Sequence, residues 1–197
     1  MRSIPNMVVS APMDEEELRN LMFTAQAEDH GPFSIRYPRG NGVMTEWKTP
    51  LRALKVGTGR KIKNGSDVAF LTIGAIGNYT RKACETLEDM GIHAAHYDMR
   101  FVKPIDELML HEVFAKFDKV ITVEDGCIQG GFGSAVIEFM ADNGYHAQIK
   151  RLGVPDRYIE HGSQDELYKE CGYDTAAMVA TAAQMVGVER AAEKRVG

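Results

Sequence analysis

From Asp67 onward the chain alternates short apolar runs with longer amphipathic ones, and this alternation restricts the fold more than any other feature. "VAFLTIG" is apolar on both parities, as a strand covered on both faces must be. A helix is expected from Asn78 through Met90, with Ala83 and Leu87 facing inward and Gly91 ending it. "AAHYDM" reads as a second strand, and "IDELMLHEVFAKF" as a helix with Pro104 in its first turn. "KVITVE" is a third strand, "AVIEFMADNG" a helix after a glycine-rich turn, and "AQIKRLG" a fourth strand. Ser163 and Glu166 have capping-box spacing, and Asp174 stands ahead of a last helix, "TAAMVATAAQMV". Parallel strands need helical crossovers of about this length. The expected class is α/β: an open, mostly parallel sheet with helices on both faces over 55–188, then a polar tail over 189–197.

The first forty residues carry a smaller set of signals. "MVVSA" and "FSIRY" read as strands on either side of a helix, "EEELRNLMFTAQAE". Asp14 is its expected cap, its first turn is acidic, and Leu18, Leu21, Met22 and Ala25 form its apolar face. Two strands and one helix cannot bury their own apolar surface. Residues 1–40 are therefore expected to be the tail of a second α/β domain, prone to self-association or to binding a partner. Residues 41–54 read as a linker, followed by an edge strand near Lys55 to Ile62 and a turn at Asn64-Gly65.

Charge and cysteine usage narrow the function classes. The net charge is −5, which argues against nucleic acid as a main partner, since a phosphate backbone requires a basic face. A small anion needs only one or two local cations. Cys84, Cys127 and Cys171 are widely spaced, which suits neither a disulfide framework nor a zinc site and fits a reducing cytoplasm. "MRSIPNMVVSAP" lacks the apolar core of a signal peptide, and the longest apolar runs are too short to span a bilayer. The six histidines show no metal-ligand spacing, and no serine or cysteine nucleophile motif is present.

Four stretches could carry chemistry. In "FSIRYPRGNG" the apolar alternation stops at Pro38, and Arg39 follows at the carboxyl end of a strand. Open α/β sheets gather ligands there, and a guanidinium fork matches a phosphate or carboxylate. Gly40 and Gly42 would let such an anion approach, although a surface arginine in a linker reads the same way. Arg36, on the opposite parity from Ile35 and Tyr37, is expected to pair with an acidic neighbour. "QGGFGS", 129–134, is either a phosphate cradle or a structural turn, with Glu124 and Asp125 at its mouth opposing an anion. "PDRYIEHGS", with Asp156, Arg157, Glu160 and His161, is either an acid–base pair or a loop ion pair. Asp98, Arg100 and Lys103 in "DMRFVKP" read as an interface or a structural salt bridge.

Together "RSIPNMVVSAPMDEEELRNLMFTA", "IRYPRG", "DMRFVKPID", "VEDGCIQGGFGSAV" and "GVPDRYIEHGSQDEL" resemble the carboxyl-terminal third of the 1-deoxy-D-xylulose-5-phosphate synthase family. The β subunit of 2-oxoacid dehydrogenases shares the fold and a block like "VKPID", but "RYPRG" and "PDRYIEHG" favour the synthase. The resemblance implies a transketolase carboxyl-terminal-like domain preceded by the tail of a pyrimidine-binding-type domain. It implies a thiamin diphosphate- and Mg²⁺-dependent condensation of pyruvate with D-glyceraldehyde 3-phosphate, losing CO₂ and feeding isoprenoid, thiamin and pyridoxal synthesis. It also implies a cytoplasmic homodimer. By the same resemblance Arg39 binds the substrate phosphate, while the catalytic, cofactor-binding and metal-binding residues lie upstream of this chain. The fragment alone is then expected to be inactive.

Overall fold

The structure is a computed structural model that describes residues 1–27, 29 and 31–187. The expected polar tail, 189–197, lies outside the described residues. The main sheet is built from β3 (Arg60–Lys63), β4 (Val68–Ile73), β5 (Ala94–Asp98), β7 (Lys119–Cys127) and β8 (Gln148–Val154), in the order β3-β5-β4-β7-β8. β5, β4, β7 and β8 run parallel, and only the edge strand β3 is antiparallel. This is the expected α/β class. The edge strand begins at Arg60, later than Lys55, and the chain ahead of it is bonded to the first helix through the Arg52 and Leu54 amides.

Alternate residues of β4 face two layers. Val68 and Phe70 join Ile121 and Val123 under α2 (Gly77–Asp89) and α6 (Thr175–Val186). Ala69, Leu71 and Ile73 face α3 (Glu107–Lys116) and α4 (Phe132–Asp142). A strand apolar on both parities is what two helical layers demand. Local caps fix the helix ends. Ser163 and Glu166 close a reciprocal capping box on α5 (Gln164–Glu170), and Asp174 Oδ1 accepts from Ala177 N at 2.9 Å. Pro104 does not sit in the first turn of α3. Asp106 caps that helix by accepting from Met109 N at 3.0 Å, so the proline belongs to the approach.

The amino-terminal segment does not complete a sheet on its own. β1 (Val8–Ser10) pairs in parallel with β2 (Phe33–Ile35) and antiparallel with β6 (Phe101–Lys103), giving the order β2-β1-β6. β6 was not anticipated from the sequence. After β5 the chain leaves the main sheet at Arg100, whose φ of 56° is uncommon for a residue with a side chain, while Asp98 Oδ1 accepts Arg100 N at 3.2 Å. Val8, Leu21 and Phe101 form a small core with Phe33, Ile35, Leu54 and Val56.

The first helix, α1 (Glu15–Thr24), corrects an expectation. Of the apolar face Leu18, Leu21, Met22 and Ala25, only Leu21 is fully buried, and Met22 and Phe23 are exposed. The buried positions are Glu17, Asn20, Leu21 and Thr24. The cause is the linker, whose backbone runs along this helix and requires acceptors. Asn20 Oδ1 accepts Arg52 N at 3.0 Å, and Thr24 Oγ1 accepts Leu54 N at 2.8 Å. Met1, Ile4, Met22, Phe23 and Tyr37 remain as exposed apolar side chains of this segment.

Candidate functional site

The strand β2 ends where Arg36 N donates to Ser10 O at 2.9 Å, one residue beyond the ladder. Past that point the chain turns outward. Arg36 Nη2 reaches Asp125 Oδ2 at 3.2 Å, the acidic partner its parity suggested. Asp125 sits near the carboxyl end of β7. Its Oδ1 accepts the Tyr173 hydroxyl at 3.0 Å, and its Oδ2 accepts the Tyr168 hydroxyl at 3.3 Å. Burial first, and then the Asp125 charge, push both phenols well above the ordinary tyrosine range, so they remain donors.

Arg39 follows in an irregular turn and is exposed. Among the described residues it makes no hydrogen bond or ion pair. Gly40 has φ 151°, a conformation that favours glycine. Gly42 has a different reason from the ligand access expected of it. A Cβ there would collide with the Glu15 carboxylate, which accepts Val43 N at 2.6 Å and Met44 N at 3.1 Å. The loop is thus held before and after Arg39, while the guanidinium itself is uncommitted.

The other candidate stretches are structural. Glu124 Oε2 and Oε1 accept from Phe132 N at 2.7 Å and Gly133 N at 2.8 Å, so a side chain of this chain fills the α4 amino terminus. Helix α4 begins inside the glycine-rich stretch, three residues before the expected Ala135, and a Cβ on Gly131 would collide with that carboxylate. An anion would meet Glu124 first, which rules out a phosphate cradle there. Arg157 Nη2 pairs with Glu170 Oε1 at 3.0 Å, and His161 is exposed without a bond to Glu160 or Asp156. Asp98 and Arg100 belong to a buried ionic cluster, and Lys103 Nζ donates to the carbonyls of Arg2 and Ile4 at 2.9 and 2.7 Å.

Among the described residues no group of three His, Cys, Asp or Glu side chains could hold a metal ion. The glycine-rich entrance of α4 is occupied by Glu124. The described residues do not suit a diphosphate with its Mg²⁺. No described helix is long and apolar enough to cross a membrane. Sequence reasoning missed Asp125 and Glu15 as partners of the Arg39 loop. Neither carries a local signal, because each meets the loop only through tertiary contact.

Comparisons with known proteins agree with this architecture. The family described as Transketolase, C-terminal domain matches residues 57–178. The 1-deoxy-D-xylulose-5-phosphate synthase of Cytophaga hutchinsonii is 62% identical over 188 residues, covering 95% of this chain and 30% of that protein. The synthase of Bacteroides fragilis is 57% identical over 175 residues, covering 88% of this chain and 27% of that protein. The chain thus spans about a third or less of the curated relatives it matches. A split-gene transketolase, solved as an inactive β4 tetramer, superposes with TM-score 0.80 at 31% identity, covering 96% of this chain and 60% of that one. A transketolase mutant from Pichia stipitis, at 18% identity and TM-score 0.68, covering 95% of this chain and 26% of that one, shares the fold. The synthase names favour that reading over the dehydrogenase β subunit. The chain belongs to the transketolase C-terminal domain family, and its relatives at more than half identity are 1-deoxy-D-xylulose-5-phosphate synthases.

Proposed function

We propose that this chain is the carboxyl-terminal part of an enzyme that condenses pyruvate with D-glyceraldehyde 3-phosphate, releasing CO₂ and forming 1-deoxy-D-xylulose 5-phosphate. In this reading Arg39 binds the phosphate of the aldehyde. The observation that carries it is an exposed guanidinium at a strand's carboxyl end, without an intramolecular partner among the described residues, on a loop tied down on both flanks. A dianionic phosphate supplies the missing charge, and the fork geometry accepts two of its oxygens.

The chain's own contribution is binding and orientation. Thiamin diphosphate with Mg²⁺ would supply the decarboxylating chemistry, from residues outside this chain. The segment 1–40 then serves as the tail of the pyrimidine-binding-type domain, 41–54 as a linker, and 55–188 as the transketolase carboxyl-terminal-like domain, with 189–197 as a tail. The exposed apolar side chains Met22 and Phe23 support a covering partner, consistent with a homodimer or with upstream domains packing there. The location proposed is the cytoplasm.

The test is Arg39→Ala in a full-length enzyme containing this chain. Loss of one charge-assisted phosphate contact is expected to cost on the order of 2–4 kcal/mol of transition-state binding with D-glyceraldehyde 3-phosphate. The Michaelis constant for pyruvate should barely move. Unchanged kcat/KM for the phosphorylated aldehyde would overturn the assignment.

A further inference from the structure

An arginine that grips a phosphate from an irregular loop works only if the loop is held in place, because ordering it at each binding event would consume binding energy. The two flanks of Arg39 are tied to different parts of the molecule. Upstream, Arg36 is paired with Asp125 at 3.2 Å. Downstream, the amides of Val43 and Met44 donate to the two oxygens of Glu15 at 2.6 and 3.1 Å. We infer that Asp125 and Glu15 are positioning residues for Arg39, one anchoring the entry to its loop through Arg36 and the other anchoring the exit through backbone amides. The inference rests on the phosphate-binding reading of Arg39.

The upstream anchor is itself rigid. Tyr168 and Tyr173, which hold Asp125, are both 2% exposed and pack into the core beneath α2 and α6. Gln164 Nε2 donates to the Tyr168 hydroxyl at 2.8 Å, and Gly40 lies against the same glutamine, within 3.9 Å of where its Cβ would stand. The position of β7 is thereby linked to the Arg39 turn through buried, hydrogen-bonded aromatic side chains. Arg36 also offsets the charge of Asp125, which would otherwise oppose an anion bound nearby. The glycine at position 42 belongs to the downstream anchor, since a Cβ there would displace the Glu15 carboxylate from the Val43 and Met44 amides.

A merely structural role for these groups would depress all turnover alike, whereas positioning of Arg39 acts only on the phosphate. The experiment compares Arg39→Ala, Arg36→Gln, Glu15→Ala and Asp125→Asn in the full-length enzyme. Each variant is assayed with D-glyceraldehyde 3-phosphate, with unphosphorylated D-glyceraldehyde, and for the pyruvate KM. Arg36→Gln and Glu15→Ala are expected to raise KM for the phosphorylated aldehyde by about three- to tenfold. Turnover of D-glyceraldehyde and the pyruvate KM should stay within about twofold. Arg36→Gln leaves the tyrosine–aspartate contacts in place, so it remains informative if Asp125→Asn fails to fold. Added to Arg39→Ala, Arg36→Gln should cost nothing more. Equal losses with both aldehydes, or additive losses in the double variant, would overturn the positioning role. If Arg39→Ala discriminates between the aldehydes and the anchor variants do not, the inference alone falls. If Arg39→Ala itself does not discriminate, the phosphate reading falls instead, and the inference with it.

Discussion

Arg60 Nη2 stands 3.2 Å from Oε2 of Glu17, and joins the amino-terminal helix to the edge strand of the main sheet. The pair is part of a larger cluster. Arg60 also reaches Asp14 at 3.3 Å and Asp98 at 3.0 Å, and Arg100 Nε meets the other Glu17 oxygen. Glu17 further accepts Met13 N at 3.1 Å. Three carboxylates and two guanidiniums thus hold α1 against the domain that follows it.

Replacing Glu17 by Gln should therefore be costly. The carboxylate is 1% exposed, and its loss leaves two half-buried guanidiniums short of a counter-charge. Breaking such a buried arrangement typically costs about 3–5 kcal/mol. Chemical denaturation of the isolated chain would measure it, and a loss under about 1 kcal/mol would mean the cluster is not holding the segment.

The same cluster sets a pH dependence. Burial and the nearby Glu17 push Asp98 up to about 8, against the pull of Arg60 and Arg100. Between the usual 3.8 and about 8 the folded chain keeps a proton that the unfolded chain has released, so stability falls as pH rises. His96 behaves oppositely: burial, with Arg81 and Arg60, pushes it down to about 3, so between about 3 and its usual 6.5 stability rises with pH. The two slopes oppose one another up to 6.5, and above that only the Asp98 slope remains. The Tm difference between the parent chain and Asp98→Asn should therefore shift in favour of the variant from pH 6.5 to 8. A difference constant over that range would contradict the assignment.

Glu124→Gln tests the internal cap of α4. The carboxylate accepts two amides at 2.7 and 2.8 Å, whereas an amide side chain can offer only its oxygen and must turn its NH₂ toward donors. A loss of about 1–3 kcal/mol is expected by thermal or urea unfolding. A neutral outcome would reopen the glycine-rich turn as an anion site.

The thiols should separate by accessibility. Burial lifts Cys84 to about 12, and it lies within the α2 core, whereas Cys127 is exposed. A thiol reagent near neutral pH should label Cys127 rapidly and Cys84 only after unfolding. Labelling of Cys84 at the same rate would mean that α2 opens readily.

Much of the fold was legible because its signals are local. "VAFLTIG" announced a doubly covered strand, and Asp14, Ser163 and Asp174 announced helix starts, since a cap bonds to an amide only a few residues away. Arg39 could be singled out because the end of a strand and a following glycine are visible in the chain itself. Tertiary structure alone decided the rest. Phe101–Lys103 became the third strand of the amino-terminal sheet, α1 buried Glu17, Asn20 and Thr24 in place of Met22, and Asp125 met Arg36. Periodicity reports which side chains avoid water, and it does so over one or two turns. It carries no information about which polar groups, far apart in the chain, will satisfy one another once water is excluded.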